Sequence, residues 1–104
     1  MPKAKKLPPV SPGQILRTVL KDAGLTANAA ALKMRIPSNR LTAILNGQRA
    51  LTADTALRLA RLFGTSAQMW MNMQAQYELE LAEDELAGRI EREVEALSTQ
   101  HAVL

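Results

Sequence analysis

The 104-residue chain has no cysteine, one histidine and only three aromatic residues, Phe63, Trp70 and Tyr77. Without cysteine there is neither a disulfide framework nor a thiolate metal site, and His101, near the C-terminal end, has no second histidine to share a metal with. No nucleophile with a base can be assembled from such a set, and the Gly-rich phosphate-binding and zinc-peptidase patterns are missing. The acids between residues 78 and 95 follow a helical pattern, for which a solvated charged face is the ordinary explanation. Catalysis is therefore not expected, and no cofactor or metal is implied. Nor does any apolar run approach the roughly 18 residues that a spanning helix needs. The lysines at the N-terminus have no apolar segment behind them. These absences predict a soluble, unexported, cytoplasmic protein with no membrane partner and a single core.

The formal net charge of +3 conceals a division along the chain. Residues 1–64 hold eleven Lys and Arg against Asp22 and Asp54, a balance of +9. Residues 65–104 hold Arg89 and Arg92 against eight acids, a balance of −6. A polyanion is drawn to the first part and repelled by the second, as expected of a DNA-binding head followed by a tail with another task.

Within the basic part, residues 24–47 read as two short helices with a three-residue link. Thr26 caps the first, which runs through an alanine-rich segment to Met34. Pro37 lacks an amide proton and forces Ile36 out of helical geometry, so Arg35, Ile36 and Pro37 form the link. Ser38 is expected to cap the second helix, and Asn46-Gly47 to close it. Two helices too short to stand alone, joined by so short a link, have the geometry of a helix-turn-helix, whose second helix enters the major groove. On a wheel, Leu41, Ile44 and Leu45 of that helix share the buried face. Asn39, Ala43 and Asn46 lie opposite, flanked by Arg40 and Thr42. Asn pairs bidentately with adenine, Arg with guanine, and Ala43 or the Thr42 methyl can touch a thymine methyl, so Asn39, Arg40, Thr42 and Ala43 are the expected base readers. An ordinary solvated helix face carries the same residue types. Gln48 and Arg49, just past this helix, are placed for the sugar-phosphate backbone.

Residues 1–10, MPKAKKLPPV, are basic and proline-rich with no periodicity, and read as a disordered arm. Ser11, Pro12 and Gln14 form a capping-box start for a helix whose stripe is Ile15, Leu16, Val19, Leu20 and Ala23. Thr52 is expected to cap another helix, ended by Gly64, with Ala56, Leu59, Ala60 and Phe63 buried and Asp54 spaced to pair with Arg58. In the C-terminal portion Met69, Met73, Tyr77 and Leu81 recur every fourth residue beside Trp70. Such a stripe closes the domain's own core; its length leaves part of it for a second chain, so Trp70, Met73, Tyr77 and Leu81 are the expected dimer interface. A second seam runs through Leu86, Ile90, Val94 and Leu97, with Gly88 expected to weaken or bend it. Residues from Ser98 onward are expected to fray.

These residues resemble the HigA-type antitoxins of the Xre-like helix-turn-helix repressors over roughly residues 11–82. The resemblance rests on Ser11-Pro12-Gly13, on Pro37-Ser38-Asn39-Arg40-Leu41, on Asn46-Gly47-Gln48-Arg49, on LTADTALRLARLFGTS from Leu51 to Ser66, and on Trp70-Met71-Asn72-Met73-Gln74 with Tyr77. The family's early glutamine is Ala27 here, its turn glycine is Arg35, and its Pro-Glu-Phe-Trp helix opening is Ala67-Gln68-Met69-Trp70. The resemblance implies an all-α, compact five-helix bundle of the Xre or lambda-repressor kind at 11–82, with an acidic helical extension and tail at 83–104. It implies phosphate contacts from Thr26, Asn28, Arg35, Ser38, Asn46, Gln48 and Arg49. It also implies an antitoxin that neutralises a cognate toxin, a small ribosome-dependent mRNA endonuclease, and that as a homodimer represses its own operon by binding double-stranded operator DNA. A stand-alone regulator without a toxin, and a helical module that binds no DNA, are the competing readings.

Overall fold

The structure, a computed structural model, describes residues 7–98. Lys3, Lys5 and Lys6 of the basic arm, and His101 with the rest of the segment 99–104, lie outside the described residues. The described residues form five helices and no strand: α1 Pro12–Asp22, α2 Ala27–Met34, α3 Ser38–Leu45, α4 Ala53–Phe63 and α5 Ala67–Glu93. The all-α expectation holds, and no helix among them is long and apolar enough to cross a membrane.

Helix α1 starts where the sequence places it. The Gln14 amide donates to the Ser11 hydroxyl, and the Ser11 amide donates to the Gln14 side chain at 2.8 Å. A cap of this kind is worth about 1 kcal/mol. Leu16 and Leu20 are buried, whereas Ile15 and Ala23 from the same expected stripe face outward. Thr26 caps α2 by accepting from the Ala29 amide at 3.1 Å. The left-handed residues that follow α1 and α3 and close α4 are Gly24, Gly47 and Gly64, with φ of 70, 74 and 70°. At the end of α2 the same backbone shape is imposed on Arg35, φ 59°. A side chain there costs about 1–2 kcal/mol, because Cβ crowds the carbonyl oxygen.

Two expected caps are corrected. Helix α3 begins at Ser38 with Pro37 as the residue before it, and no side chain caps its first amides; the Ser38 hydroxyl donates instead to the Asn28 side-chain oxygen. Thr52 occupies the cap position of α4 but accepts from no backbone amide there. Its hydroxyl lies 3.4 Å from that of Thr55, a residue with no exposed surface.

The core joins Leu16, Leu20, Ala30, Ala31, Met34, Ile36, Leu41, Ile44, Leu45, Leu51, Ala56, Leu59 and Trp70. Trp70 is wholly buried and donates its indole N–H to Thr65 at 2.9 Å. It therefore presents nothing to a second chain, and its assignment to a dimer interface is corrected. The face of α5 that enters the core is built on Trp70 and Gln74, with Met71 and Met73 against it, one residue round from the expected stripe. Gln74 is buried because its oxygen accepts the Leu51 amide at 2.9 Å while its nitrogen donates to Glu78 at 2.7 Å. Helix α5 also runs through Gly88 to Glu93 without interruption. Past Leu86 its residues are exposed, so the last turns stand clear of the domain.

Candidate nucleic-acid interface

Helix α3 is seated by Leu41, Ile44 and Leu45, all buried as the wheel requires. Behind it α1 comes close enough that a Cβ at Gly13 would lie 2.1 Å from the Ile44 carbonyl oxygen. With that face against the body of the protein, Asn39 and Thr42 are exposed and Ala43 is half-buried. The outward surface is thus an amide and a hydroxyl around one methyl, chemistry that suits the edges of bases.

Arg40 does not join them. Its side chain is 22% exposed and turns toward α4, where one guanidinium nitrogen lies 3.1 Å from the Asp54 carboxylate and 3.4 Å from the Thr55 hydroxyl. The expectation that Arg40 reads a base from the groove face is corrected by this pairing. A wheel assigns a direction to a Cβ, but a long side chain follows its counter-charge. Asp54 also accepts from Arg58 at 2.7 Å, and Arg58 donates onward to the Met34 carbonyl at 2.9 Å, satisfying a carbonyl at the end of α2. The hydrogen bonds from Arg58 and Arg40 hold the Asp54 carboxyl below its ordinary pKa. The expected Asp54–Arg58 pair is present, and it belongs to a chain of contacts joining α2, α3 and α4.

The expected phosphate contacts separate into groups. Ser38 and Asn28 are brought together by their side-chain hydrogen bond, which links the first turn of α3 to the first turn of α2. Thr26, Arg35, Gln48 and Arg49 are all exposed, the last two in the loop after Gly47. The Asn46 oxygen accepts from Arg17 on α1. Arg17 was not singled out in the sequence; its position on an exposed stretch of a supporting helix gives no sign that it reaches the end of α3.

Residues 16–70, from α1 through the first turn of α5, match the family model described as helix-turn-helix. The chain belongs to the helix-turn-helix family. Among its relatives in that family is virulence-associated protein I of Dichelobacter nodosus, 47% identical over 81 residues that make up 77% of this chain and 75% of the relative. A Coxiella burnetii addiction module antidote protein of the HigA family superimposes with a TM-score of 0.81 at 43% identity, over 88% of this chain and all of the other. The Pseudomonas aeruginosa antitoxin HigA, in a structure with the higBA promoter, gives 0.83 at 38% identity, over 86% of this chain and 99% of that one. Within the helix-turn-helix family the chain lies in the HigA-type antitoxin branch, as its Ser11-Pro12-Gly13 start and its Trp70-to-Tyr77 segment imply.

Proposed function

We propose that this protein is the antitoxin of a two-gene module: it neutralises a ribosome-dependent mRNA endonuclease and, as a dimer in the cytoplasm, represses its own operon by binding operator DNA. The observation that carries the DNA half is the outward face of α3, where uncharged hydrogen-bonding side chains, Asn39 and Thr42, flank Ala43 on a helix seated by three buried aliphatics. Asn39, Thr42 and Ala43 are the proposed base readers. Thr26, Asn28, Arg35, Ser38, Asn46, Gln48 and Arg49 are the proposed backbone contacts. The positive balance of residues 1–64 supports this placement, since phosphate neutralisation supplies most of the sequence-independent attraction.

One recognition helix spans half of a typical site, and dimers set two of them about 34 Å apart, one duplex turn. Met69 and Leu81 are exposed and Met73 and Tyr77 half-buried on one side of α5, and that side is the proposed contact between copies. Light scattering at tens of micromolar, with and without duplex DNA, tests it; a strictly monomeric mass in both excludes a dimer.

The toxin half rests on membership of the HigA-type branch. Its test is genetic: the adjacent gene is expressed alone and together with this one. Arrest of growth by the first, relieved by the second, is the expected result. A harmless neighbour leaves a stand-alone transcriptional regulator, which keeps the DNA-binding half intact.

A further inference from the structure

Arg40 is the one basic residue of α3, and its charge is directed away from the outward face of that helix. A cation standing free there would be attracted to every phosphate within reach. That attraction is blind to sequence and releases one counterion per contact on any duplex. Asn39 and Thr42 have no net charge and gain only where a base edge offers a matching donor, acceptor or methyl. The discrimination of such a surface is the difference between these two kinds of binding, and a free arginine raises only the indiscriminate one.

Asp54 is built to keep the arginine back. Its carboxylate holds Arg40 at 3.1 Å and Arg58 at 2.7 Å. Arg58 in turn is tied to the Met34 carbonyl at 2.9 Å. Asp54 therefore cannot swing outward with Arg40, because its second oxygen is engaged on the far side by a guanidinium that is itself anchored to α2. Thr55, with no exposed surface, gives Arg40 a further contact inward at 3.4 Å.

We propose that Asp54 is a specificity-determining residue of the DNA surface, a positioning residue that holds the Arg40 guanidinium against α4 and off the reading face of α3. The inference rests on the DNA-binding reading above. The pair contributes little to folding, since a half-exposed ion pair is worth about 0–1 kcal/mol, so its consequence lies in what the helix binds.

The test compares the full chain with Asp54→Asn, Asp54→Glu, Arg40→Gln and the double variant Asp54→Asn/Arg40→Gln. The probes are a duplex enriched by the wild-type chain from a random pool and a scrambled duplex of the same composition, followed by fluorescence anisotropy across a salt series. Asp54→Asn is expected to tighten binding to the scrambled duplex roughly five- to ten-fold at low salt and to steepen the salt slope by about one, the signature of one added phosphate contact. The preference for the enriched duplex falls accordingly. Asp54→Glu, which retains the carboxylate, stays near wild type. In the Arg40→Gln background the Asn substitution changes nothing, because no arginine remains to release.

Two results overturn the proposal alone: an unchanged salt slope in Asp54→Asn, or the same gain in the Arg40→Gln background, which would assign the effect to removal of an acid rather than release of an arginine. Failure of the wild-type chain to enrich any duplex would instead overturn the DNA-binding reading, and this inference with it. Circular dichroism melts show whether all variants keep the fold, and Asp54→Glu gives a usable comparison if Asp54→Asn does not.

Discussion

Gly13 of α1 lies so close to the backbone of Ile44 that a Cβ at this position would come within 2.1 Å of the Ile44 carbonyl oxygen and 2.9 Å of the Leu45 Cα. The neighbour is backbone, not the tip of a flexible side chain, so the clash can be relieved only by moving α1 or α3. Overpacking of this kind costs about 1–3 kcal/mol or more. Gly13→Ala should lower the thermal midpoint and also weaken DNA binding, because the last turn of the reading helix is what must give way. Calorimetry with duplex binding checks both, and a midpoint within 1 °C of wild type, taken as no effect on a scale of roughly 4–8 °C per kcal/mol, would refute the close packing.

Arg35 offers an opposed pair of effects. Replacing it with glycine removes the left-handed strain of about 1–2 kcal/mol, part of which is offset by the freer unfolded chain. A net gain of about 0.5–1 kcal/mol, or roughly 2–8 °C in midpoint, is expected. The same substitution deletes an exposed cation, so Arg35→Gly should bind duplex DNA more weakly, with a salt slope shallower by about one. Greater stability together with unchanged DNA affinity would leave Arg35 without a phosphate contact.

Reading and holding should separate at Asn39 and Arg49. Asn39→Ala is expected to lose about 1–3 kcal/mol on the preferred duplex and far less on a scrambled one. Arg49→Ala should weaken both duplexes alike and reduce the salt slope by about one unit. If Asn39→Ala acts equally on the two duplexes while Arg49→Ala is selective, α3 is not the reading helix.

The Arg40–Asp54–Arg58 contacts depend on an ionised carboxylate. The folded pKa of Asp54 is lowered, first by the hydrogen bond from Arg58 and then by that from Arg40. Whatever the contacts add is therefore present above the ordinary aspartate range, near pH 4, and is lost as pH falls through the lower folded value. Carbon-13 chemical shifts of the Asp54 carboxyl should titrate below those of Asp22. Arg40→Gln together with Arg58→Gln should move Asp54 back up; no movement would mean that the guanidiniums do not set it.

Much of this arrangement can be read from local signals. Ser11 with Gln14, and Thr26 with its alanine-rich run, announce helix starts through contacts three residues apart, and both are found. The buried side of α3 follows from periodicity, as does the Asp54–Arg58 spacing. What escapes is decided by partners distant in the chain. Ser38 is a good cap by residue type, yet its hydroxyl is engaged by Asn28, ten residues back. Arg40 leaves the reading face for Asp54, fourteen residues on. Gln74 is polar and so invisible to a search for apolar stripes, although the Leu51 amide 23 residues earlier makes it the right residue to bury. Trp70 shows the converse: an aromatic beside an exposed stripe looks like a contact for another chain until the core is seen to close over it.

Gln74 has one more consequence. The loop carrying Gln48 and Arg49 is hung between the end of α3 and the Leu51 amide, and that amide hangs from the Gln74 oxygen. Turning α5 about its axis by one residue position, about 100°, would swing the oxygen away and leave a buried N–H without an acceptor. Gln74 is thus a rigid strut between the long helix and the loop beside the reading surface. A load on the free end of α5 bears on that loop through a single side chain, while α3, keyed to α1 at Gly13, is fixed by a separate joint.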